Sequence, residues 1–256
     1  MIGKIMRGVA RCGLVAFGSA TIVVNAASAQ TPDMAHGSSH EAMRWDNTLF
    51  LLFNQLEYSG SADERPVNVD ARAWYGGAHQ RIWLRGQSDF ATTKRQGEVE
   101  AQVLYGRLVD PFWDAVVGVR VDQHWGDAHR RRTQLAIGFL GLAPYRLELE
   151  PTVFISSKGE ISARFEAGFD FLITQRLVAE PEVEFNAALQ AVPAFDIRRG
   201  LNDYEAGIRF RYEFRREIAP YVGWSRSRRI SGSTGSSVSG GPISESRLVA
   251  GLRLWR

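Results

Sequence analysis

Residues 203–214 alternate strictly between two kinds of side chain. One set is apolar or aromatic: Tyr204, Ala206, Ile208, Phe210, Tyr212 and Phe214. The other set is charged, apart from one glycine: Asp203, Glu205, Gly207, Arg209, Arg211 and Glu213. A period of two places the two sets on opposite faces of a β-strand, whereas a helix would mix them. The apolar face must therefore meet either a protein core or a lipid bilayer, and the charged face either solvent or the lumen of a membrane barrel.

Short alternating segments separated by turn residues continue from residue 45 to the end of the chain. They predict twelve strands, at 47–58, 66–76, 80–88, 97–108, 112–123, 131–140, 145–155, 160–172, 177–188, 202–214, 219–228 and 244–255. We expect a bulge or weak pairing in the ninth strand, because Pro181 has no backbone N–H to donate.

The lengths of the connections distinguish a membrane barrel from a soluble β protein. Short connections alternate with longer and more polar ones. The short ones are 77–79, 109–111, 141–144, 173–176 and 215–218, and the long ones include 59–65, 89–96, 191–200 and 229–243. Outer-membrane barrels have short periplasmic turns and long external loops, and a soluble sandwich has no reason to alternate in this way. The sequence therefore predicts an all-β fold for residues 45–256: a transmembrane, antiparallel outer-membrane β-barrel of about twelve strands, with its long loops outside the cell.

Residues 1–29 have the pattern of a signal peptide for export. A basic start, a mostly apolar stretch and a small-residue cleavage site follow one another: Lys4, Arg7 and Arg11; Cys12–Val24; and Ala27–Ala29. The apolar stretch is too short for a membrane-spanning helix. The cysteine, one in the whole chain, lies in this leader, so we expect no disulfide in the mature protein.

Removal of the leader changes the charge balance. The whole chain has 31 Lys+Arg and 28 Asp+Glu, and the leader holds three of the basic residues, which leaves 28 of each sign. A neutral mature protein is a poor candidate for a nucleic-acid binder, which needs a basic surface. We therefore expect no nucleic-acid partner.

Residues 30–44 show no periodicity and little apolar content, which predicts a flexible, disordered tail before the barrel. Met34, His36, His40 and Met43 lie in this tail. Thioether and imidazole groups together suit Cu(I). Their spacing matches no established metal motif, so the residues alone leave open whether this is a copper site or simply a solvated tail.

The charged faces of the predicted strands allow two interpretations of the lumen. Arginines and carboxylates in similar numbers would pair across the barrel as a salt-bridged plug. Alternatively, an acidic strip would form a candidate path for cations, since carboxylates tolerate Cu(II) in transit. The strip consists of Glu148, Glu150, Glu180, Glu182 and Glu184. A general diffusion pore or a purely structural barrel is the corresponding alternative function.

An outer-membrane hydrolase is the enzymatic alternative. Such a site needs a serine within reach of an activating histidine, with a third group to orient that histidine. The barrel histidines are His79, in a short turn, and His124 and His129, beside a long loop, and no serine shares a strand position with them. We therefore expect no catalytic site and no enzymatic activity.

Six segments of the barrel resemble one known family. The clearest are GLAPYRLELEPTVF (141–154), AGFDFLITQRLVAEPEVEFN (167–186) and LNDYEAGIRFRYEFRREIAPYVGW (201–224). Three further segments are similar to the same family, in the same order along the chain: NTLFLLFNQLEY (47–58), VEAQVLYGRLVDPFWDAVVGVR (99–120) and SRLVAGLRLW (246–255). They closely resemble the copper resistance protein B family, outer-membrane β-barrels encoded with bacterial copper-resistance systems.

The resemblance implies a copper-related function in the outer membrane of a Gram-negative type of cell. Members of the family carry a Met/His-rich segment before the barrel, and residues 34–43 occupy that place, so the resemblance implies that Met34, His36, His40 and Met43 bind copper. Cu(I) is the favoured ion, and Cu(II) is also accepted. We expect the protein to contribute to copper homeostasis by sequestration or by passage across the membrane. Its expected partners are outer-membrane lipid and a periplasmic copper-handling protein.

Overall fold

The computed structural model describes residues 47–59, 67–90, 97–125, 130–195, 197–215, 217–230 and 243–256. The predicted leader (1–29) and tail (30–44) lie outside these residues. The strands are β1 (Thr48–Ser59), β2 (Val67–Gly76), β3 (Gln80–Phe90), β4 (Gly97–Asp110), β5 (Trp113–Trp125), β6 (Arg130–Ala143), β7 (Leu147–Ser156), β8 (Ile161–Phe169), β9 (Phe171–Leu172), β10 (Leu177–Ala188), β11 (Gly200–Tyr212), β12 (Ile218–Arg229) and β13 (Ile243–Trp255).

These strands form one antiparallel sheet that closes into a barrel. Neighbours in sequence pair in turn, β10 pairs with β11, and β1 pairs with β13 to complete the ring. The two-residue β9 and the longer β8 both pair with β10 and share one position in the wall, so the barrel has twelve strands. Closure pairs the backbone of each strand on both sides, which is what a β structure needs in lipid. The predicted fold and strand number are confirmed.

The strand limits agree with the sequence prediction to within three residues. The short connections are also as expected. One of them, between β6 and β7, is a single 3-10 turn at Pro144–Arg146, in which Tyr145 and Arg146 have positive φ. No helix in the described ranges is both long and apolar enough to cross a membrane. Which end of the barrel faces the periplasm stays a prediction from the loop lengths.

The division of faces predicted for 203–214 is present in β11. Phe210 is 40% exposed on the outside of the barrel, whereas Arg209 is 7% and Arg211 4% exposed in the lumen. Neighbouring strands continue the apolar surface, because Phe210 is paired with the exposed Val222 of β12. An apolar outer surface around a charged interior is the arrangement of a lipid-embedded barrel, and the protein is accordingly placed in the outer membrane.

Pro181 interrupts the sheet without a bulge. Its pairing with Ile208 of β11 is in regular register. On its other side the register places it opposite Phe169, where β8 ends, and pairing resumes between Phe171 and Ala179. The missing N–H of proline explains the gap between β8 and β9.

One part of the lumen is apolar. Leu104, Val116, Ala136 and Phe154, on β4 to β7, pack together and are buried. Glycine makes room for them, since a Cβ at Gly118 would lie 2.7 Å from the Cα of Leu104. This cluster fills the barrel on one side and leaves the charged groups to the opposite side and to the levels above and below it.

Arginine substituted at two outward-facing positions of β5 tests the wall assignment. Val119 lies in the middle of the strand, between the exposed Val103 and Leu135, and Gln123 is near the long-loop end of the same face. We expect Val119→Arg to lower the free energy of unfolding by about 2–4 kcal/mol, and Gln123→Arg by about 0–1 kcal/mol, because the cost falls from the bilayer centre to its surface. Denaturant titration in lipid vesicles measures both, and equal costs would contradict the assignment.

Candidate functional site

The lumen contains a network of arginine–carboxylate pairs, which begins with two arginines from β2 and β3. Arg72 lies 2.7 Å from Glu150, and Arg85 lies 2.6 Å from the other oxygen of the same carboxylate. Arg85 also contacts Glu166 at 3.0 Å. All four side chains are 12–19% exposed. Two guanidinium groups between two carboxylates form a neutral cluster, in which each charge has a partner of opposite sign.

Glu100 on β4 is the centre of a second cluster. Arg164 donates two parallel hydrogen bonds to it, at 3.1 and 2.9 Å, and Arg120 approaches at 2.8 Å. Arg120 also contacts Asp122 at 2.7 Å. The guanidinium carbon of Arg120 lies 4.4 Å from the centre of the Phe154 ring, so the cluster rests on the apolar part of the lumen. Two-pronged contacts of this kind need the planar fork of arginine.

Arg209 on β11 forms ion pairs with two other strands, β1 and β10. Its guanidinium contacts Glu57 of β1 at 3.0 Å and Glu182 of β10 at 2.7 Å. The Tyr221 hydroxyl donates to the same Glu57 carboxylate at 3.2 Å. A Cβ at Gly251 would lie 2.4 Å from that hydroxyl, so this position has to be glycine for Tyr221 to reach its partner.

A third cluster lies toward the short-turn end. Arg211 contacts Glu180 at 2.7 Å and Asp170 at 3.1 Å, and Arg253 contacts Glu180 at 3.1 Å. Asp170 lies between β8 and β9, on the same inward face as Arg164 and Glu166 of β8.

The five glutamates of the predicted acidic strip all lie in or beside these clusters. Four of them hold arginines: Glu150 holds Arg72 and Arg85, Glu180 holds Arg211 and Arg253, Glu182 holds Arg209, and Glu184 holds Arg164. Glu148 has no ion pair with another described residue. The geometry therefore favours the salt-bridged interior of the two interpretations, while the cation path stays a prediction.

Among the described residues, one cavity lies on each side of the central pairs in the lumen. The cavity toward the long loops is lined by eight carboxylates and five arginines, and the one toward the short turns by six carboxylates and two arginines. Arg72, Glu166 and Glu182 line both cavities and so lie at the boundary between them. Both cavities therefore have more carboxylates than arginines on their walls, and a layer of paired charges separates them.

A bulge in β1 adds two amides to this layer. The pairing of β1 with β2 shifts by one residue between Phe53 and Gln55. Asn54 donates to Asp70 at 3.2 Å, and Gln55 donates to Glu182 at 3.3 Å, so consecutive side chains both point into the lumen. A bulge re-aims side chains in this way because one residue has no partner in the neighbouring strand.

The connection from β10 to β11 reaches across the long-loop end of the lumen. It contains a 3-10 turn at Pro193–Phe195, and the Phe195 ring lies 5.5 Å from the guanidinium of Arg132 and 6.1 Å from the ring of His124. Those side chains belong to β6 and β5, with β7 and β8 between them and β10 in the wall. The connection therefore crosses over the interior and reaches the β5–β6 side of the barrel.

The copper ligands predicted from the sequence are not among the described residues, whereas two of the three barrel histidines are. Met34, His36, His40 and Met43 lie outside the described residues, as does His129. His79 is in the short turn after β2, and His124 Nε2 lies 3.1 Å from a Glu98 oxygen. Within the ranges described, no three His, Cys, Asp or Glu side chains are grouped so as to hold a metal ion.

Several members of the ion-pair network were not among the predicted lumen residues. Glu57, Asp70, Glu100 and Asp122 all face inward and are paired. For Asp70 and Glu100 the signal was available, because each lies two residues from a polar lumen side chain on its own strand. For Glu57 it was not, because the bulge at Asn54 reverses the alternation of β1.

Comparison with known proteins gives one consistent family. A family model described as Copper resistance protein B precursor (CopB) matches residues 47–256. The chain is 37% identical over 207 residues to Copper resistance protein B of Escherichia coli, and the alignment covers 80% of this chain and 68% of that protein. It is 35% identical over 210 residues to the Copper resistance protein B homolog of Pseudomonas syringae pv. tomato, which covers 80% and 69%. Among solved structures, the NanC porin superposes with a TM-score of 0.49 at 13% identity, over 81% of this chain and 99% of that one.

The importance of the buried pairs is tested at Glu100. Replacing it with glutamine removes the charge opposite Arg120 and Arg164 while keeping the shape of the side chain. We expect Glu100→Gln to lower the free energy of unfolding by about 3 kcal/mol, the lower end of the range for a broken buried pair, because both arginines keep another carboxylate nearby. Denaturant titration of the barrel in vesicles measures the change.

The matched control is Glu205→Gln. Its side chain is 42% exposed and lies 3.7 Å from Arg247. A partly solvated pair of this kind contributes about 0–1 kcal/mol, so this variant should unfold close to the wild type. If the two variants were equally stable, the buried pairs would not hold the barrel together as described.

Proposed function

The chain belongs to the copper resistance protein B family, and we propose that it binds copper through its Met/His tail while the barrel anchors that tail to the outer membrane. In this proposal copper is the cargo, and the protein contributes to copper homeostasis by sequestration. A copper-resistance role is supported by the family, whose curated members are copper resistance proteins. The assignment of copper binding to the tail and not to the barrel is supported by the arginine partners of the lumen glutamates.

One observation carries the proposal: most of the glutamates in the acidic strip already have arginine partners. Four of the five glutamates in the acidic strip hold arginines at 2.6–3.3 Å. A metal ion would have to displace a guanidinium from each of them, and the guanidinium carries its charge at all accessible pH values. Carboxylates that are already paired with arginine are therefore weak competitors for copper.

The tail has the opposite chemistry. Thioethers do not titrate and favour Cu(I), whereas imidazoles accept either oxidation state of copper. Met34, His36, His40 and Met43 are close enough in sequence to surround one ion without movement of any strand. We propose that Cu(I) is bound more tightly than Zn(II), and that the histidine contribution fades below about pH 6, where imidazole becomes protonated.

Passage of copper through the lumen is the second candidate function. It is favoured by the excess of carboxylates, eight against five arginines in one cavity and six against two in the other. An acidic wall raises the local concentration of cations. Passage requires that the layer at Arg72, Glu166 and Glu182 opens, because this layer separates the two cavities.

We further propose that a periplasmic copper-handling protein exchanges the ion with the tail. The N-terminus of β1 lies at the short-turn end of the barrel, the end expected to face the periplasm. A tail that is joined to β1 at that end is available to a periplasmic partner. No catalytic step is needed for capture and exchange, which agrees with the expectation that the protein is not an enzyme.

The decisive test replaces Met34, His36, His40 and Met43 with alanine in the mature chain. We expect the copper stoichiometry of the purified protein to fall from about one Cu(I) to near zero and copper tolerance of the cell to fall with it. Correct insertion is verified by heat-modifiable migration in gel electrophoresis. Ser38→Ala with Ser39→Ala is the matched control in the same segment and should leave both quantities unchanged.

A third variant separates the two candidate functions. Glu148→Gln changes the strip glutamate that has no ion pair among the described residues, and it should leave copper binding intact if the tail is the site. Unchanged binding in the alanine variant, together with lost tolerance in Glu148→Gln, would contradict the tail proposal and favour the lumen.

A further inference from the structure

The outer surface of the barrel near the long loops carries charges of one sign. In that half of the wall, the charged side chains that point outward from the described strands are Arg131, Arg226 and Arg228. They share the outward face with the exposed side chains of the apolar surface, such as Leu135 on β6 and Trp224 on β12. This contrasts with the lumen, where both signs occur together and pair.

Arg226 and Arg228 lie two residues apart on β12 and project from the same face. They follow directly on Val222 and Trp224, which are 62% and 42% exposed, so they begin where the apolar surface ends. Neither makes an ion pair with a carboxylate in the part of the chain that the structure describes. Within those residues, two adjacent arginines at the edge of a lipid-facing surface are therefore open to an anionic group of the membrane.

Uncharged hydroxyl groups surround the two arginines. Ser246 and Ser244 of β13 are paired with Arg226 and Arg228 and are exposed on the same face. The Arg226 Nε donates to the Ser244 hydroxyl at 3.4 Å, and Tyr204 of β11 is paired with Arg228 on its other side. The surface thus combines two guanidinium groups with three hydroxyl groups at the edge of the apolar outer surface.

We propose that this arginine–serine patch, formed by Tyr204, Arg226, Arg228, Ser244 and Ser246, binds the phosphorylated headgroup of a glycolipid in the outer leaflet. Guanidinium groups bind phosphate oxygens through two parallel hydrogen bonds, and hydroxyl groups are suitable partners for sugar hydroxyls. The phosphates of such a lipid lie at the membrane surface, level with side chains that follow the apolar surface. Basic residues at this depth attract anionic lipid. The loop lengths predict that this end of the barrel faces outside the cell.

Native mass spectrometry of the detergent-solubilised mature protein tests the proposal, with diphosphorylated lipid A as the probe. We expect Arg226→Gln with Arg228→Gln to weaken binding about tenfold or more, because two charge-assisted contacts to phosphate are lost. Arg107→Gln is the matched control. Arg107 is also an exposed, outward-facing arginine, but it lies on β4 near the short turns, and its replacement should leave binding unchanged.

Two further probes identify the source of the phosphate. Chemically dephosphorylated lipid A should bind weakly and equally to the wild type and the double variant. Inorganic phosphate at the same concentration should not displace the lipid. Equal binding of diphosphorylated lipid A by wild type and double variant, an equal loss in Arg107→Gln, or displacement by inorganic phosphate would each overturn the proposal.

Discussion

The pairing of arginine with carboxylate inside a closed wall is the interaction on which the rest of this structure depends. Lipid on the outside requires apolar side chains at alternate positions, and the strand period then turns the remaining side chains into a narrow interior. A charge placed there without a partner would be costly, and a broken pair more so than none at all. Glu100, held by Arg120 and Arg164, shows the solution: one carboxylate is shared by the planar groups of two arginines from different strands. The strands are thereby linked across the lumen as well as along the wall.

The sequence predicted the wall more completely than the interior. Alternation in segments such as 203–214 is a local property, so the strands, their faces and their number could be derived from the residues alone. Partners across the lumen depend on the register and circumference of the barrel, which no local pattern encodes; Arg72 and Glu150 are an example. The inward orientation of Glu57 could not be predicted for a different reason: a one-residue bulge reverses the alternation of β1.

Likewise, the residue pattern did not predict the apolar cluster around Phe154 or the position of the connection that contains Phe195. The first is an exception to the rule of a polar lumen, and the second is a long polar loop in sequence that folds back over the interior. Both reduce the free space in the barrel. Together with the ion pairs they produce an interior in which most carboxylates are paired with arginine, which in the proposed function leaves soft-metal chemistry to the methionines and histidines of the tail. The barrel then serves as an anchor, and its outward arginines bind the lipid around it.

Conductance of the mature protein in planar lipid bilayers tests the closed interior most directly. The layer formed by Arg72, Glu166 and Glu182 separates the two cavities, so we expect verified insertions to give no steady ionic current in neutral salt. Reproducible ohmic steps from each inserted barrel, of the size expected for an unobstructed twelve-strand pore, would contradict it.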